Sequence, residues 1–351
     1  MLNYLRATSP LRLAILTCAF ALPAASVQQP APSPIENTAI SEALQCLSAS
    51  PRFDVAYDYE LTINIRLLFF WTGKDDVGGG YIKTGHIATD PSLEVIRLLF
   101  GSNPVQAHGI NRWGAGTEVA QRGASSVVEW SAFLGFMKSS RGQSVGAMQR
   151  ELADEKERGQ HRFEAIISRV DSGGAVSTTV PFYSDYDYGF RDLEPATRAV
   201  LQQVRDGQGR QLHTLDRNAP GCSRNGGFLT TVHELSGEAL DGRQAPVSLC
   251  YVYNSRPYTL TLDAVHEVPE KTVRFTLNGT KEKVVREYRD LEEARFHTLN
   301  HSSGEKTYFA VLLGTKDGLR GAPVQINYQP NWWFRITLNL KPSAGETASR
   351  P

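Results

Sequence analysis

The residues that could carry chemistry in this sequence are scattered rather than gathered into a motif. His297 and His301 are four residues apart, as metal ligands often are, but a Ser-Ser-Gly turn follows His301 and no Cys or acid completes a ligand set. Asp75 and Asp76 lack the regular ligand spacing of a calcium loop. The sequence therefore predicts no metal site and no cofactor.

Motifs for catalysis are also missing from the sequence. A serine nucleophile at a strand-to-helix turn would carry a Gly-x-Ser-x-Gly motif, and there is none. The consecutive glycines at 78–80 lack the Lys-Ser/Thr pair of a phosphate-binding loop, so a hairpin loop is predicted there. Nothing specifies an enzyme, although a secreted hydrolase assembled from distant residues remains an alternative.

Aromatic side chains are the more suggestive group, because they gather at strand ends and in loops. Tyr and Trp combine an apolar ring with a polar group, which suits a ring-lined pocket for an apolar or carbohydrate ligand. Filling of the protein core is the simpler alternative. The candidate ligand-binding residues are Trp71, Tyr183, Tyr186, Tyr188, Trp332 and Trp333.

Two long alternating segments must position these residues. Residues 59–71 place apolar side chains at every odd position and mostly polar ones between them, which predicts a strand with one buried and one wet face. The wet face would comprise Glu60, Thr62, Asn64 and Arg66. Residues 332–340 alternate in the same way, and residues 72–80 are predicted to be a turn. We expect the two strands to belong to one curved sheet with a shared apolar face.

The fold class predicted for the whole chain is mainly β with minor α: a curved antiparallel sheet or half-barrel with a few packed helices. From Phe228 onward the pattern predicts almost only strands, and the segments 163–170 and 175–182 predict a hairpin. Helices are predicted over three further segments and near the start of the chain. These are 90–101, which opens with Asp-Pro, 145–159 and 194–207, and a short helix from Asn37 or Thr38 with Ile40, Ala43, Leu44 and Leu47 on one face.

The predicted organisation follows these elements. It comprises a signal peptide (1–26), a Pro-rich spacer and short helix (27–52), an N-terminal β-rich part with helical insertions (53–205), a loop (206–227), a C-terminal antiparallel β part (228–341) and a disordered tail (342–351).

The N-terminus predicts export. Arg6 and Arg12 precede an apolar run at 13–22 that is too short to span a bilayer, and small residues at 24–26 suit signal peptidase, so cleavage near Ser26 is expected. The predicted location is periplasmic or extracellular. No later segment is apolar for long enough to form a transmembrane helix.

Charge and cysteine content limit the partners and the redox state. Lys plus Arg and Asp plus Glu are both 37, and the signal peptide removes two Arg and no acid, leaving 35 against 37. This balance gives no electrostatic footprint for nucleic acid. Of the cysteines that remain, Cys222 and Cys250 flank a predicted hairpin and are expected to form a disulfide, leaving Cys46 free; three buried thiols are the alternative.

Residues 295–340 carry a resemblance to a known family. A strand, a Lys-Asp-Gly turn at 316–318 and Ala322-Pro323-Val324 leading into two closing strands resemble the end of a family of exported bacterial β-rich proteins classed as a domain of unknown function. The resemblance implies a curved sheet similar to the half-barrels of lipoprotein carriers, and with it apolar ligands or roles in the cell envelope. It carries over no functional residues.

Taken together, these features favour an exported, non-catalytic binding or cell-envelope protein. Its expected partner is an apolar small molecule or an envelope component. An outer-membrane β-barrel is an alternative, because long alternating strands also describe that class. The strands of such a barrel are more uniform in length than those predicted here.

Overall fold

The computed structural model describes residues 34–67, 70–103, 106, 113–122, 127–135, 161–171, 174–184, 202, 211–216, 225–254, 256–276, 283–316, 318–331 and 334–342. These residues contain two helices and fifteen strands. They are α1 (Pro34–Leu47), β1 (Pro51–Leu67), β2 (Phe70–Ile87), β3 (Asp90–Ser102), β4 (Trp113–Arg122), β5 (Val127–Gly135), β6 (His161–Asp171), β7 (Gly174–Ser184), β8 (Gln211–Asp216), β9 (Asn225–Gly226), α2 (Phe228–Leu240), β10 (Val247–Tyr253), β11 (Arg256–Thr276), β12 (Lys283–Asn300), β13 (Lys306–Gly314), β14 (Pro323–Asn331) and β15 (Phe334–Leu340).

All fifteen strands form one sheet, which confirms the prediction of a mainly β fold with minor helix. The order is β8-β7-β6-β5-β4-β3-β2-β1-β15-β14-β13-β12-β11-β10-β9. Neighbours are antiparallel except β9, which runs parallel to β10. Strands from both sides of residues 206–227 share this sheet, and β8 and β9 lie within that segment, which was predicted to be a loop.

The sheet curls until its two ends approach each other. Val252 of β10 packs with Val170 of β6 and Ala175 of β7. The ring centroids of Tyr253 and Phe133 in β5 are 5.2 Å apart. Strands that are far apart in the sheet order therefore contact each other, and the sheet is nearly closed, like a barrel.

The first strand pair differs from the prediction. β1 ends at Leu67, four residues before the predicted end of the strand, and β2 begins at Phe70, with Leu67 paired to Phe70. The segment predicted to be a turn, residues 72–80, is part of β2. Glycine there has a packing role: a Cβ on Gly78 would collide with the carbonyl oxygen of Gly101 in β3. Glycine permits this close approach of two strands, whereas its presence in the sequence suggested a loop.

The predicted helix at 90–101 is wrong, because these residues form β3. Its odd-numbered residues from Val95 to Leu99 are buried and the intervening ones are half-buried, so both faces of the strand are covered. A strand that is covered on both faces has no clear alternation, and its apolar residues also fit a helical period. The Asp90 carboxylate accepts a hydrogen bond from the Ser92 backbone N–H (3.1 Å), an Asx turn that begins a strand rather than a helix cap.

The first helix lies on the sheet as expected. The apolar side chains predicted to share one face of α1 are all buried: Ile40, Ala43, Leu44 and Leu47. They form one cluster with Val119 of β4, Trp130 of β5 and Ile167 of β6. An ion pair between Glu42 of α1 and Arg169 of β6 (2.7 Å) also joins the helix to the sheet. The amphipathic pattern therefore identified both the helix and its buried face.

The second helix was missed. Residues 228–240 belong to the part predicted to be almost only strands, but they form α2, with Leu235 and Ala239 buried against Leu260 and Phe296 of the sheet. The hairpin of β6 and β7 is confirmed, with Asp171 paired to Gly174. The helices predicted at 145–159 and 194–207 lie outside the described residues, apart from residue 202.

Candidate functional site

Three adjacent strands, β1, β15 and β14, have two chemically different faces. The apolar face is formed by rows of directly paired residues. These are Tyr59 with Leu340, Leu61 with Leu338 and Ile326, and Ile63 with Ile336 and Tyr328. The predicted pairing of the two alternating segments in one sheet is therefore confirmed, since paired residues of antiparallel strands share a face.

Burial decreases along these three rows of the apolar face. Tyr59 and Leu340 are fully buried, whereas Ile63 and Ile336 are only half-buried and Tyr328 is 38% exposed. Apolar surface that is left in contact with water is unfavourable by about 25 cal/mol per Å². The row of Ile63, Ile336 and Tyr328, called here the apolar mouth, is the most exposed of these three rows.

The opposite face of the same strands is polar. It consists of Glu60, Thr62 and Asn64 of β1, Arg335, Thr337 and Asn339 of β15, and Gln325 and Asn327 of β14. The prediction that this face is exposed to water is wrong for the first of these β1 residues, because Glu60 is 0% exposed and Thr62 is 7% exposed. Only Arg66, further along β1, is exposed as predicted.

Hydrogen bonds between side chains satisfy this polar face. Gln325 Nε2 donates to Asn339 Oδ1 (2.8 Å), and Asn327 Nδ2 donates to Gln325 Oε1 (3.0 Å). Thr337 Oγ1 donates to Asn327 Oδ1 (2.9 Å). Burying these groups without partners would cost several kcal/mol. The network therefore allows amide side chains to occupy buried sheet positions.

Glu60 is the buried acid at one end of the polar face. Its Oε2 accepts a hydrogen bond from the backbone N–H of Thr276 in β11 (2.6 Å), and its Oε1 has no partner within the described residues. Burial raises the pKa of Glu60 to about 7, with Asp76 and Asp75 adding to the shift and the Thr276 N–H and Lys341 opposing it. β11 thus contacts β1 through a carboxyl group that titrates near neutral pH.

Trp71 lies at the other end of this polar face. It is paired with Arg66, so its side chain shares the face of Asn64 and Arg335 and not that of Ile63. The Arg335 guanidinium is 4.6 Å from the centroid of the ring, and its Nη2 donates to Gln329 Oε1 (3.4 Å). The alternation placed Trp71 on the apolar face because no turn residues mark the chain reversal after Leu67.

The remaining candidate residues fall mainly outside the described part. Tyr183 is in β7, paired with Arg162, and only its backbone is described. Tyr186, Tyr188, Trp332 and Trp333 lie outside the described residues, as does Cys222, so its disulfide with Cys250 stays a prediction. Cys46 is a free thiol whose pKa burial raises to about 11.

The histidines considered as metal ligands have separate partners. Nδ1 of His297 is 2.8 Å from Oδ1 of Asp263, and Nε2 of His301 is 2.7 Å from Oγ1 of Thr259. Among the described residues, no three His, Cys, Asp or Glu side chains are grouped as metal ligands would be. Neither described helix has the length and apolarity needed to cross a membrane.

Two further buried acids were missed by sequence reasoning. Oε2 of Glu118 in β4 accepts hydrogen bonds from the Thr230 backbone N–H (2.9 Å) and hydroxyl (3.0 Å). Glu129 of β5 accepts one from the Gly227 N–H. A Cβ on Gly227 would lie 2.5 Å from Glu118 Cδ, so glycine is required between the carboxylates. These acids cap the N-terminus of α2, replacing the side-chain cap that Gly227 cannot supply.

Known proteins show little similarity to this chain. No family model matches the chain, and no curated protein matches it. Among solved structures it is similar to a protein from Brucella abortus described as a beta-barrel-like protein of domain of unknown function DUF1849. The sequence identity is 11%, the match covers 83% of this chain and 98% of that chain, and the TM-score is 0.32.

Proposed function

We propose that this chain is an exported, non-catalytic binding protein that holds an apolar ligand at the apolar mouth. The observation that supports the proposal is the gradient of burial along the apolar face. The residues at one end are packed by the protein itself, and those at the other, Ile63, Ile336 and Tyr328, keep apolar surface in contact with water.

A curled sheet suits this role because its strands hold the apolar residues in fixed positions. Ile63 pairs with Ile336, and Ile336 pairs with Tyr328, so the three side chains lie side by side on three strands. A ligand placed there gains apolar contacts without ordering a loop, which lowers the entropic cost of binding. A role in the cell envelope follows if the ligand is a component of that compartment.

Uptake of N-phenyl-1-naphthylamine, an apolar probe that fluoresces in apolar surroundings, tests the proposal. The purified protein should bind the probe, and Ile336→Gln should weaken binding about fivefold because apolar contact area is lost. Arg335→Gln is the matched control, since it makes the same residue at the adjacent position on the opposite face. It should leave probe binding unchanged.

Two results would refute the binding proposal. One is a folded protein that takes up no apolar probe. The other is an equal loss of affinity in the Ile336 and Arg335 variants, which would place the probe somewhere other than the apolar mouth.

Export has a separate test. The form recovered from the periplasm or the medium should have the mass of a chain that begins near Val27, because signal peptidase is expected to cut after the small residues at 24–26. Retention of residues 1–26 in the recovered protein would contradict this part of the proposal.

A further inference from the structure

The exposed half of the polar face has an unusual composition for the surface of a sheet. Beside Trp71 and Arg335 it presents Asn64, Asn327 and Gln329, all half-buried. These five residues are called here the polar strip. Three of them are amides, whose oxygen accepts and whose nitrogen donates, so the strip offers both kinds of group beside the single positive charge of Arg335.

A solvated strand elsewhere in the same sheet shows the contrast. Along β12, Glu287 pairs with Arg289 (2.5 Å) and Glu293 with Arg295 (2.5 Å), with all four side chains in contact with water. Charged pairs of this kind are the ordinary way to keep a sheet surface soluble. The polar strip does not follow that pattern, since it has three amides and one arginine and no acid.

The groups of the polar strip are held in place before any ligand arrives. Asn327 is fixed by bonds to Gln325 and Thr337, and Arg335 by its contacts with Gln329 and Trp71. The Asn64 side chain lies over Gly73, where any Cβ would collide with its Oδ1. Polar groups that are already ordered lose little entropy on binding.

We propose that the polar strip binds a neutral carbohydrate. A sugar ring has an apolar face of C–H groups and an edge of hydroxyls that each donate and accept. The exposed part of Trp71 takes the apolar face, and Asn64, Asn327 and Gln329 bind the hydroxyls. This site is separate from the apolar mouth, which lies on the other face of the same strands.

Calorimetric titration of the full mature chain with three soluble oligosaccharides tests the inference. The probes are chitohexaose, cellohexaose and maltohexaose, each up to about 10 mM because protein–sugar affinities are often weak. At least one should bind the wild-type protein. Trp71→Ala should then lower its affinity at least about tenfold, and Trp71→Phe, which keeps an aromatic face, less than about threefold.

Two further variants keep the test independent of folding. Gln329→Ala, at a half-buried position, should lower affinity about fivefold by removing hydroxyl contacts. Tyr308→Ala, a 55% exposed ring on β13, should leave affinity unchanged. The inference is wrong if none of the three sugars binds, or if the Trp71 and Gln329 variants bind as tightly as the wild-type protein.

Discussion

The two faces of strands β1, β15 and β14 show two ways of covering the same backbone. On the apolar face, Leu61 and Leu338 are buried by contact with other apolar side chains. On the polar face, Thr337 and Asn339 are equally buried, at 8% and 7% exposed, but are stabilised by side-chain hydrogen bonds. Alternation in a strand therefore shows that its faces differ, and not that one of them is wet.

The faces also differ in how they tolerate change. Apolar packing is non-directional, and its stabilising free energy is proportional to the apolar area that is buried. A substitution that leaves a cavity therefore loses the free energy of the contacts it removes. A hydrogen-bonded network depends on each partner, and one missing donor leaves a buried acceptor unsatisfied. Substitutions on neighbouring residues of one strand can separate these two behaviours.

The largest effect is expected for a charge on the apolar face. Leu338→Asp should destabilise the protein by about 4 kcal/mol, because it removes buried apolar contacts and places a carboxyl group among them. Thr337→Asp, one residue away on the polar face, should cost about 1 to 2 kcal/mol. Urea unfolding of both variants measures the difference, and equal losses would show that the two faces are not distinct.

The second effect concerns the buried acid of the polar face. The pKa of Glu60 is about 7 in the folded chain against an ordinary value of 4.5, so the folded state binds the proton more tightly. Its stabilising contribution is complete below pH 4.5 and is lost as the pH rises through 7. The loss should be roughly 2 to 3 kcal/mol. Unfolding free energies measured between pH 4 and 8 test this sign.

Glu60→Gln should remove that part of the pH dependence, since the amide does not titrate. Asp58→Asn is the matched control, because Asp58 is exposed on the same strand. Burial raises the pKa of Glu118 as well. The test is therefore how the difference in unfolding free energy between the wild-type protein and Glu60→Gln changes with pH. A difference that does not vary with pH would contradict the assignment.

A smaller effect is expected for one bond of the network. Thr337→Val keeps the shape of the side chain but removes the hydroxyl that donates to Asn327 Oδ1, which should cost about 1 kcal/mol. The midpoint of urea unfolding should fall while its slope stays constant. An increase in stability would show that the hydrogen bond contributes less than an added methyl contact.

The smallest effect is expected at the exposed end of the polar face. Arg335→Met keeps the apolar stem but loses the contact with Trp71 and the bond to Gln329, at a cost of about 0.5 to 1 kcal/mol. Arg66→Met, at an exposed position of β1, is the control and should change the melting temperature less. If the two variants melt alike, the stacked guanidinium adds no stability.

Several features of the fold could be predicted from local pattern alone. The alternation in β1 and β15 identified both strands and the apolar side chains they share, and the spacing of Ile40, Ala43, Leu44 and Leu47 identified the buried face of α1. These predictions are correct because each element buries one face, so the spacing of its apolar residues follows the period of a strand or a helix.

The wrong predictions have an equally physical cause. β3 is covered on both faces, so its apolar residues also fit the period of a helix. The glycines of β2 allow two strands to approach closely, and the sequence does not reveal this contact. The position of the chain reversal after Leu67 decided which face Trp71 occupies. A shift of one residue in strand register moves a side chain to the opposite face.

By itself, then, the sequence determined that this chain is mainly β and which side chains of its long strands are apolar. Only the tertiary structure decided that Glu60 is buried, because its cover comes from Thr276, more than two hundred residues away. It also decided that Glu118 and Glu129 meet at one helix terminus. Burial of a polar group depends on what packs over it, and distant segments supply that cover without leaving a local pattern.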